Sequence, residues 1–131
     1  MTLTLPLSAE VEAFLSGDHL CSLTTIRPDG TPHVAPVRFT WDGRAGLARV
    51  MTVATRRKAR NLLAAPGSRA ALCQMVGYSW ITLEGPAEVS ADPLRVAEGV
   101  RHYAMRYRSR PPSTPGLVVI EIAVDRMMGL Y

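Results

Sequence analysis

This chain of 131 residues is 47% apolar and carries 15 basic against 11 acidic side chains, for a formal net charge of +4. That length suffices for one hydrophobic core, so we expect a single domain spanning residues 1–131. Because its apolar runs are too short to cross a membrane and its N-terminus lacks the basic-then-apolar order of a signal peptide, we expect a cytoplasmic protein with no membrane contact.

The first half of the chain is typical of a short helix followed by a meander of strands. The sequence predicts the helix over residues 8–15, ending before Gly17. Three segments rich in Leu, Thr, Val and Ile follow, over residues 19–27, 31–41 and 44–54. Pro-Asp-Gly and Asp-Gly turns separate them, so we predict three antiparallel strands.

The second half adds two helices and three more predicted strands. Thr55 is the candidate N-cap of a helix that ends before Pro66, and strands follow over residues 69–76 and 79–90. Asp92 and Pro93 then begin a helix. Its predicted apolar stripe consists of Leu94, Ala97, Val100, Ala104 and Tyr107, and a proline-rich loop (110–116) leads to a last strand over residues 117–124. The fold we expect is mainly β (α+β), with six antiparallel strands in a small barrel and a few short helices.

One segment, residues 55–62, contains four cations and no acid, and those four equal the whole net charge. Cations in a first helical turn oppose the helix dipole unless an anion lies among them. A phosphate would resolve that conflict, because backbone N–H groups and basic side chains would contact the same ligand. The alternative is a solvated basic helix face.

Pro32 and Pro36 lie four residues apart in the second predicted strand. Their missing N–H groups belong to the same strand edge, so that edge cannot pair fully. One interpretation is an edge strand protected against aggregation. The other is a gap in the barrel wall, where a planar ligand lies against Pro32, His33, Val34 and Pro36.

The cysteines and histidines indicate no metal site. Cys21 and Cys73 are isolated in apolar stretches and are expected to be reduced core thiols. His19, His33 and His102 lack metal-ligand spacing. We interpret His33 as structural, with proton transfer as the alternative.

Three segments, residues 30–37, 55–62 and 80–85, resemble the successive signatures of the pyridoxamine 5'-phosphate oxidase-like split β-barrels. Within that family the chain is most similar to the branch that uses the deazaflavin coenzyme F-420, and in particular to its biliverdin-reducing members. Residues 103–108 and 118–122 carry the closer similarity.

This resemblance implies a homodimer with the coenzyme at the subunit interface. The ring would lie along Pro32, His33, Val34, Ala35, Pro36 and Val37. The phosphate and acidic tail would lie among Thr52, Arg56, Lys58, Arg60 and Asn61. Gln74, Tyr78 and Trp80 would face a ring bound mainly to the partner chain.

The activity implied is hydride transfer from reduced F-420 to an unsaturated organic acceptor, with biliverdin as the leading candidate. Its two propionates would meet some of Arg38, Arg49, Arg106, Arg108 and Arg110. The proton donor is not identified, and both an arginine and water remain open. Oxidation of pyridoxine phosphates is not expected, because the longer C-terminal segment of those oxidases is missing.

Two alternatives remain. The first keeps the fold and places flavin mononucleotide (FMN) in the pocket. The second is a small basic barrel that binds RNA or another polyanion without catalysis.

Overall fold

The computed structural model describes residues 7–131, which form eight strands in one antiparallel sheet and three helices. The helices are α1 (Ala9–Phe14), α2 (Arg57–Ala64) and α3 (Pro93–Tyr107). The strands are β1 (Cys21–Ile26), β2 (Pro32–Val37), β3 (Thr40–Asp42), β4 (Leu47–Val53), β5 (Arg69–Val76), β6 (Ser79–Ser90), β7 (Leu117–Ala123) and β8 (Arg126–Leu130). Their order is β2-β1-β5-β6-β7-β4-β3, with β8 paired to β6. This is an α+β fold of the split-barrel type.

The expected count of six strands was wrong for two reasons. The segment 31–41 breaks after Val37, because the carbonyl of buried Phe39 accepts side-chain hydrogen bonds from Arg106 and Tyr107 of α3. The chain end adds β8, in which Met127 and Met128 pair with β6 as an edge strand.

Strand β6 belongs to both halves of the sheet. Its first part pairs with β5 and β8, and residues 87–90 pair with β7. A Cβ atom on Gly85 would overlap the backbone carbonyl oxygen of Ala123. Glycine at this position therefore allows the close backbone approach at which β6 passes from one half to the other.

The core lies between the sheet halves and beneath α1. Alternate residues of β1, β5 and β6, among them Leu23, Leu72 and Ile81, are buried, and Val11 of α1 packs into the same cluster. Cys21 and Cys73 are both free. No helix within residues 7–131 is long and apolar enough to cross a membrane.

Helix α3 packs on β3, β4 and β7, with a face that differs from the predicted stripe. Two members of the predicted apolar stripe, Leu94 and Ala97, are exposed, Leu94 to 81%. The buried residues of α3 are Gly99, whose missing side chain lets Met51 and Val119 approach, and Tyr107, which the predicted stripe included. The helix ends at Arg108, which has a left-handed backbone (φ 53°).

Candidate active site

The basic segment forms the start of α2, as the sequence predicted, but its cap differs. The residue preceding the helix is Arg56 rather than Thr55, and no side chain within residues 7–131 caps the first turn by a hydrogen bond. The backbone N–H groups of that turn therefore have no capping acceptor, which leaves them available to an anionic ligand.

The cations of this helix have no counter-ions among the described residues. No carboxylate in residues 7–131 lies within 4.0 Å of Arg56, Arg57, Lys58 or Arg60. Arg56, Arg57 and Arg60 are exposed, whereas Lys58 is half-buried. Burial, with a smaller contribution from Arg56, lowers the pKa of Lys58. The negative charge of a bound phosphate would offset both the burial of Lys58 and its repulsion from Arg56, because it stabilises the protonated amine.

A cavity of about 190 Å³ lies beside this helix start. Thr52 of β4 and Arg56 line one part of it, and Pro111, Pro112 and Thr114 of the proline-rich loop line another. The sequence predicted this loop but not its place beside α2. That place depends on the tertiary packing of α3, which determines where the chain returns to β7.

Beneath α2, two polar atoms are buried without partners among the described residues. They are Nδ1 of His33 and Oδ1 of Asn61. Thr25 accepts a 3.0 Å hydrogen bond from Nδ2 of Asn61 and lies opposite His33 in the β1–β2 ladder. These atoms offer a ligand additional hydrogen bonds close to the cations, since buried polar atoms are normally paired.

The protonation of His33 follows from the same surroundings. Burial, followed by the charges of Arg27, Lys58 and Arg57, lowers its pKa below the usual 6.5. This lowered pKa disfavours the protonated imidazole of His33.

Strand β2 is an edge strand, as the two prolines predicted. Its side chains alternate in direction, so they cannot all contact one ring. Pro32, Val34 and Pro36 are exposed on one face, whereas His33 and Ala35 are half-buried on the other and Val37 is buried. The residues predicted to bind the ring therefore lie on two opposite faces of β2.

The three residues expected to face a partner-bound ring lie in different environments. Tyr78 is 98% exposed in the β5–β6 turn, and Trp80 is half-buried at the start of β6. Gln74 is buried inside its own chain, where it donates to the carbonyl of Phe14 and accepts from Arg106. These two hydrogen bonds hold the side-chain amide of Gln74 inside its own chain.

Two arginines proposed for substrate carboxylates are occupied elsewhere. Arg49 is buried and bonds Asp42 at 2.8 Å. Arg106 donates to the backbone carbonyls of Gly17 and Phe39 as well as to Gln74. Neither side chain is positioned for a substrate at α2.

The structure also gathers three groups of metal-ligating type that sequence spacing did not reveal. One ligand atom each of Asp42, Glu98 and His102 lies within 4.8 Å of the others. Arg49 bonds Asp42 and Arg101 bonds Glu98, so the carboxylates already have cationic partners. We interpret the cluster as an ion-pair network that fastens α3 to β3 and β4.

Comparison with known proteins identifies relatives of this chain. The family model described as pyridoxamine 5'-phosphate oxidase matches residues 7–131. An F-420H2-dependent biliverdin reductase from Mycobacterium tuberculosis (strain CDC 1551 / Oshkosh) is 43% identical over 126 residues, which cover 96% of this chain and 90% of that protein.

Solved structures share the fold. A structure titled F-420 reductase superimposes with a TM-score of 0.72 at 27% identity, covering 95% of this chain and 98% of the other. A conserved hypothetical protein from Mycobacterium tuberculosis gives a TM-score of 0.78 at 22% identity, covering 95% and 84%. The second similarity concerns the fold alone.

Proposed function

Because this chain belongs to the pyridoxamine 5'-phosphate oxidase family, we propose that it is a reductase that uses coenzyme F-420 as hydride donor to an unsaturated organic acceptor. The observation that carries the proposal is the uncapped start of α2, with four cations that have no carboxylate partner among residues 7–131. The 43% identical F-420H2-dependent relative supports the choice of coenzyme.

The residues present fit such a coenzyme. Arg56, Lys58 and the first-turn N–H groups would hold its phosphate. Arg57 and Arg60, which are exposed on the same helix, would meet the carboxylates of its acidic tail. The hydroxyl of Thr52 and the loop at Pro111 would border the phosphate site, because both line the adjacent cavity.

Ring recognition would involve two sets of atoms. Nδ1 of His33 and Oδ1 of Asn61 are buried and unpartnered among the described residues, so they are available to polar groups of a ligand. Among the strands of residues 7–131, none pairs with the outer edge of β2, which keeps free backbone groups there, and its prolines present a flat apolar surface. Asn61, which lies beneath α2, would bond polar groups of the ring rather than the phosphate.

When bound, the reduced coenzyme supplies the hydride, and the protein fixes the ring and neutralises its charges. The acceptor also needs one proton. Because the pKa of His33 is lowered, we propose that the proton comes from water or from an arginine rather than from an imidazolium.

We further propose a homodimer. Leu20, Val34 and Met75 are each more than 60% exposed and, with Pro36, line or border one apolar depression on β1, β2 and β5. A patch of this kind on a small domain is typical of a protein interface. Tyr78 and Trp80 would then lie close to the coenzyme of the other subunit.

Biliverdin is the acceptor we propose, on the strength of the named relative. Its propionates would meet Arg38 or Arg110, which are exposed, whereas Arg108 lines a different cavity. Arg38 donates to the hydroxyl of Tyr103, so its guanidinium is already oriented by α3.

The direct test is equilibrium titration of the purified protein with oxidised F-420 and, side by side, with FMN. We expect tighter binding of F-420, because its tail carries carboxylates that FMN lacks. Equal or reversed affinities would assign the pocket to a flavin. Binding of RNA that weakens steeply with salt, with no binding of either coenzyme, would favour the polyanion-binding barrel.

A further inference from the structure

A second cavity, of about 310 Å³, lies between α1, β3 and α3 and shares no lining residue with the cavity beside α2. Leu15, Trp41 and Met105 provide apolar parts of its wall. Its volume is at the lower end of the range of roughly 300–1,000 Å³ typical of small-molecule sites.

Two cations line this cavity without a carboxylate partner among the described residues. Arg106 is half-buried, and its guanidinium donates only to neutral acceptors, at 2.9 Å to Gly17 O and 2.6 Å to both Phe39 O and Gln74 Oε1. Arg108 follows it at the end of α3. A guanidinium withdrawn from water without a counter-ion is unfavourable, so this wall favours an anion.

One acid, Glu12, also lines the cavity, and its charge opposes an anion. Its Oε1 accepts a 3.0 Å hydrogen bond from the indole N–H of Trp41. Because Arg106 and Arg108 belong to the same lining, its fixed charges still sum to a positive value.

Thr40 of β3 is a further residue of the lining. Thr40 is only 4% exposed, and its Oγ1 has no hydrogen-bond partner within residues 7–131. Buried hydroxyls in folded proteins are nearly always paired. The anchoring role of Arg106 between α3 and the strands accounts for neither this hydroxyl nor the charge of Arg108.

We propose that this cavity binds a small organic carboxylate with a flat apolar body. The carboxylate lies against Arg106, Arg108 and the hydroxyl of Thr40. The body lies against Trp41 and Met105. The site is separate from the coenzyme site and does not depend on the proposed reductase activity.

Phenylacetate is a suitable probe, with the neutral phenylacetamide as its matched control. Each is titrated into the ¹⁵N-labelled full chain, with and without F-420, and the amide resonances are followed by NMR. We expect saturable shifts around Thr40, His102 and Arg108, with a Kd on the order of millimolar, for the acid only. Shifts centred on α2, or equal binding of acid and amide, would overturn the proposal.

Two variants and one control sharpen the test. Arg108→Gly removes the charge but suits the left-handed backbone, and we expect about tenfold weaker phenylacetate binding. Thr40→Val keeps the shape and should weaken binding about threefold to tenfold. Arg44→Gln, at an exposed position outside the cavity, should leave the Kd unchanged. Unchanged affinity in a folded Arg108→Gly variant would contradict the assignment.

Discussion

Asn61 of α2 donates from Nδ2 a 3.0 Å hydrogen bond to Oγ1 of Thr25 in β1, and both side chains are buried. Thr25 is in turn the ladder partner of His33 in the edge strand β2. The basic helix and the edge strand, which together form the proposed coenzyme site, are thus joined through one buried polar contact.

Replacing Thr25 by valine tests the energetic weight of this contact. The variant leaves Nδ2 of Asn61 buried without an acceptor, so we expect the free energy of unfolding to fall by about 1–3 kcal/mol. Urea denaturation of both proteins measures it. The matched control is Thr24→Val, on the same strand but half-buried on the opposite face, which we expect to change stability by about 0.5 kcal/mol or less. Equal losses of unfolding free energy in the two variants would show that the hydrogen bond between Thr25 and Asn61 does not contribute to stability.

Substitution of the helix cations tests the phosphate site. Lys58→Ala and Arg56→Ala each remove one charge-assisted interaction, so we expect F-420 to bind about ten- to a hundredfold more weakly. A fluorescence titration of the coenzyme measures the Kd, and far-ultraviolet circular dichroism checks the fold. Arg44→Ala, exposed in the β3–β4 turn, should bind as the parent does. If Lys58→Ala also binds like the parent, the phosphate lies elsewhere.

The sequence was sufficient to predict those parts of the structure that follow from local chemistry. Prolines four residues apart correctly placed β2 at an edge, and a run of cations without acids located a basic helix start that has no carboxylate partner among residues 7–131. Both conclusions depend on local chemistry: a proline has no N–H to donate in any sheet, and cations at a helix start need a nearby anion in any fold.

Parts of the structure that depend on distant contacts were missed. The break after β2 arises because Tyr107, 68 residues away, donates to the carbonyl of Phe39. Gln74 was expected to face a ring, whereas in the structure its amide bonds Phe14 of α1 and Arg106 of α3. Likewise Leu94 follows helical periodicity yet lies where α3 does not contact the sheet.

A third prediction concerns the pH dependence of stability. Burial alone would raise the pKa of Asp42, but hydrogen bonds from Arg49 and from the backbone N–H of Ala45 outweigh it and lower the pKa below the usual 3.8. The charged form is therefore favoured in the folded state. Its stabilisation is fully present above pH 3.8 and is lost as the pH falls through the lower, folded-state value.

Asp42→Asn should accordingly lower the free energy of unfolding by about 3 kcal/mol at pH 7, because it leaves the buried Arg49 partly uncompensated. The difference from the parent should narrow as the pH falls below the usual carboxylate range. Thermal or urea unfolding between pH 7 and pH 3 measures it. Asp18→Asn, at an exposed residue 3.9 Å from Arg38, is the control and should change little. A difference in unfolding free energy between Asp42→Asn and the parent that stays constant with pH would contradict the lowered pKa of Asp42.

A fourth prediction concerns the strand crossing. Gly85→Ala would place a methyl group against the backbone carbonyl of Ala123, which cannot move without breaking the ladder, so we expect a loss of about 3 kcal/mol or more. Gly99→Ala is the comparison, because its methyl group would meet mainly the flexible end of Met51, with Sδ at 2.6 Å. We expect its cost to be about 1 kcal/mol or less, since alanine favours the helix. Similar losses at both positions, measured by urea denaturation, would show that Gly85 is not required for close backbone contact.

The most direct test of the proposed activity follows chemically reduced F-420, the protein and biliverdin together in air. Absorbance reports the oxidised coenzyme and bilirubin at the same time. We expect both to appear together and in equal amounts, and Lys58→Ala to slow both at limiting coenzyme. A reoxidation rate that follows the oxygen concentration and not that of biliverdin would contradict a reductase. Good coenzyme binding without turnover of biliverdin would retain the coenzyme assignment but reject the acceptor.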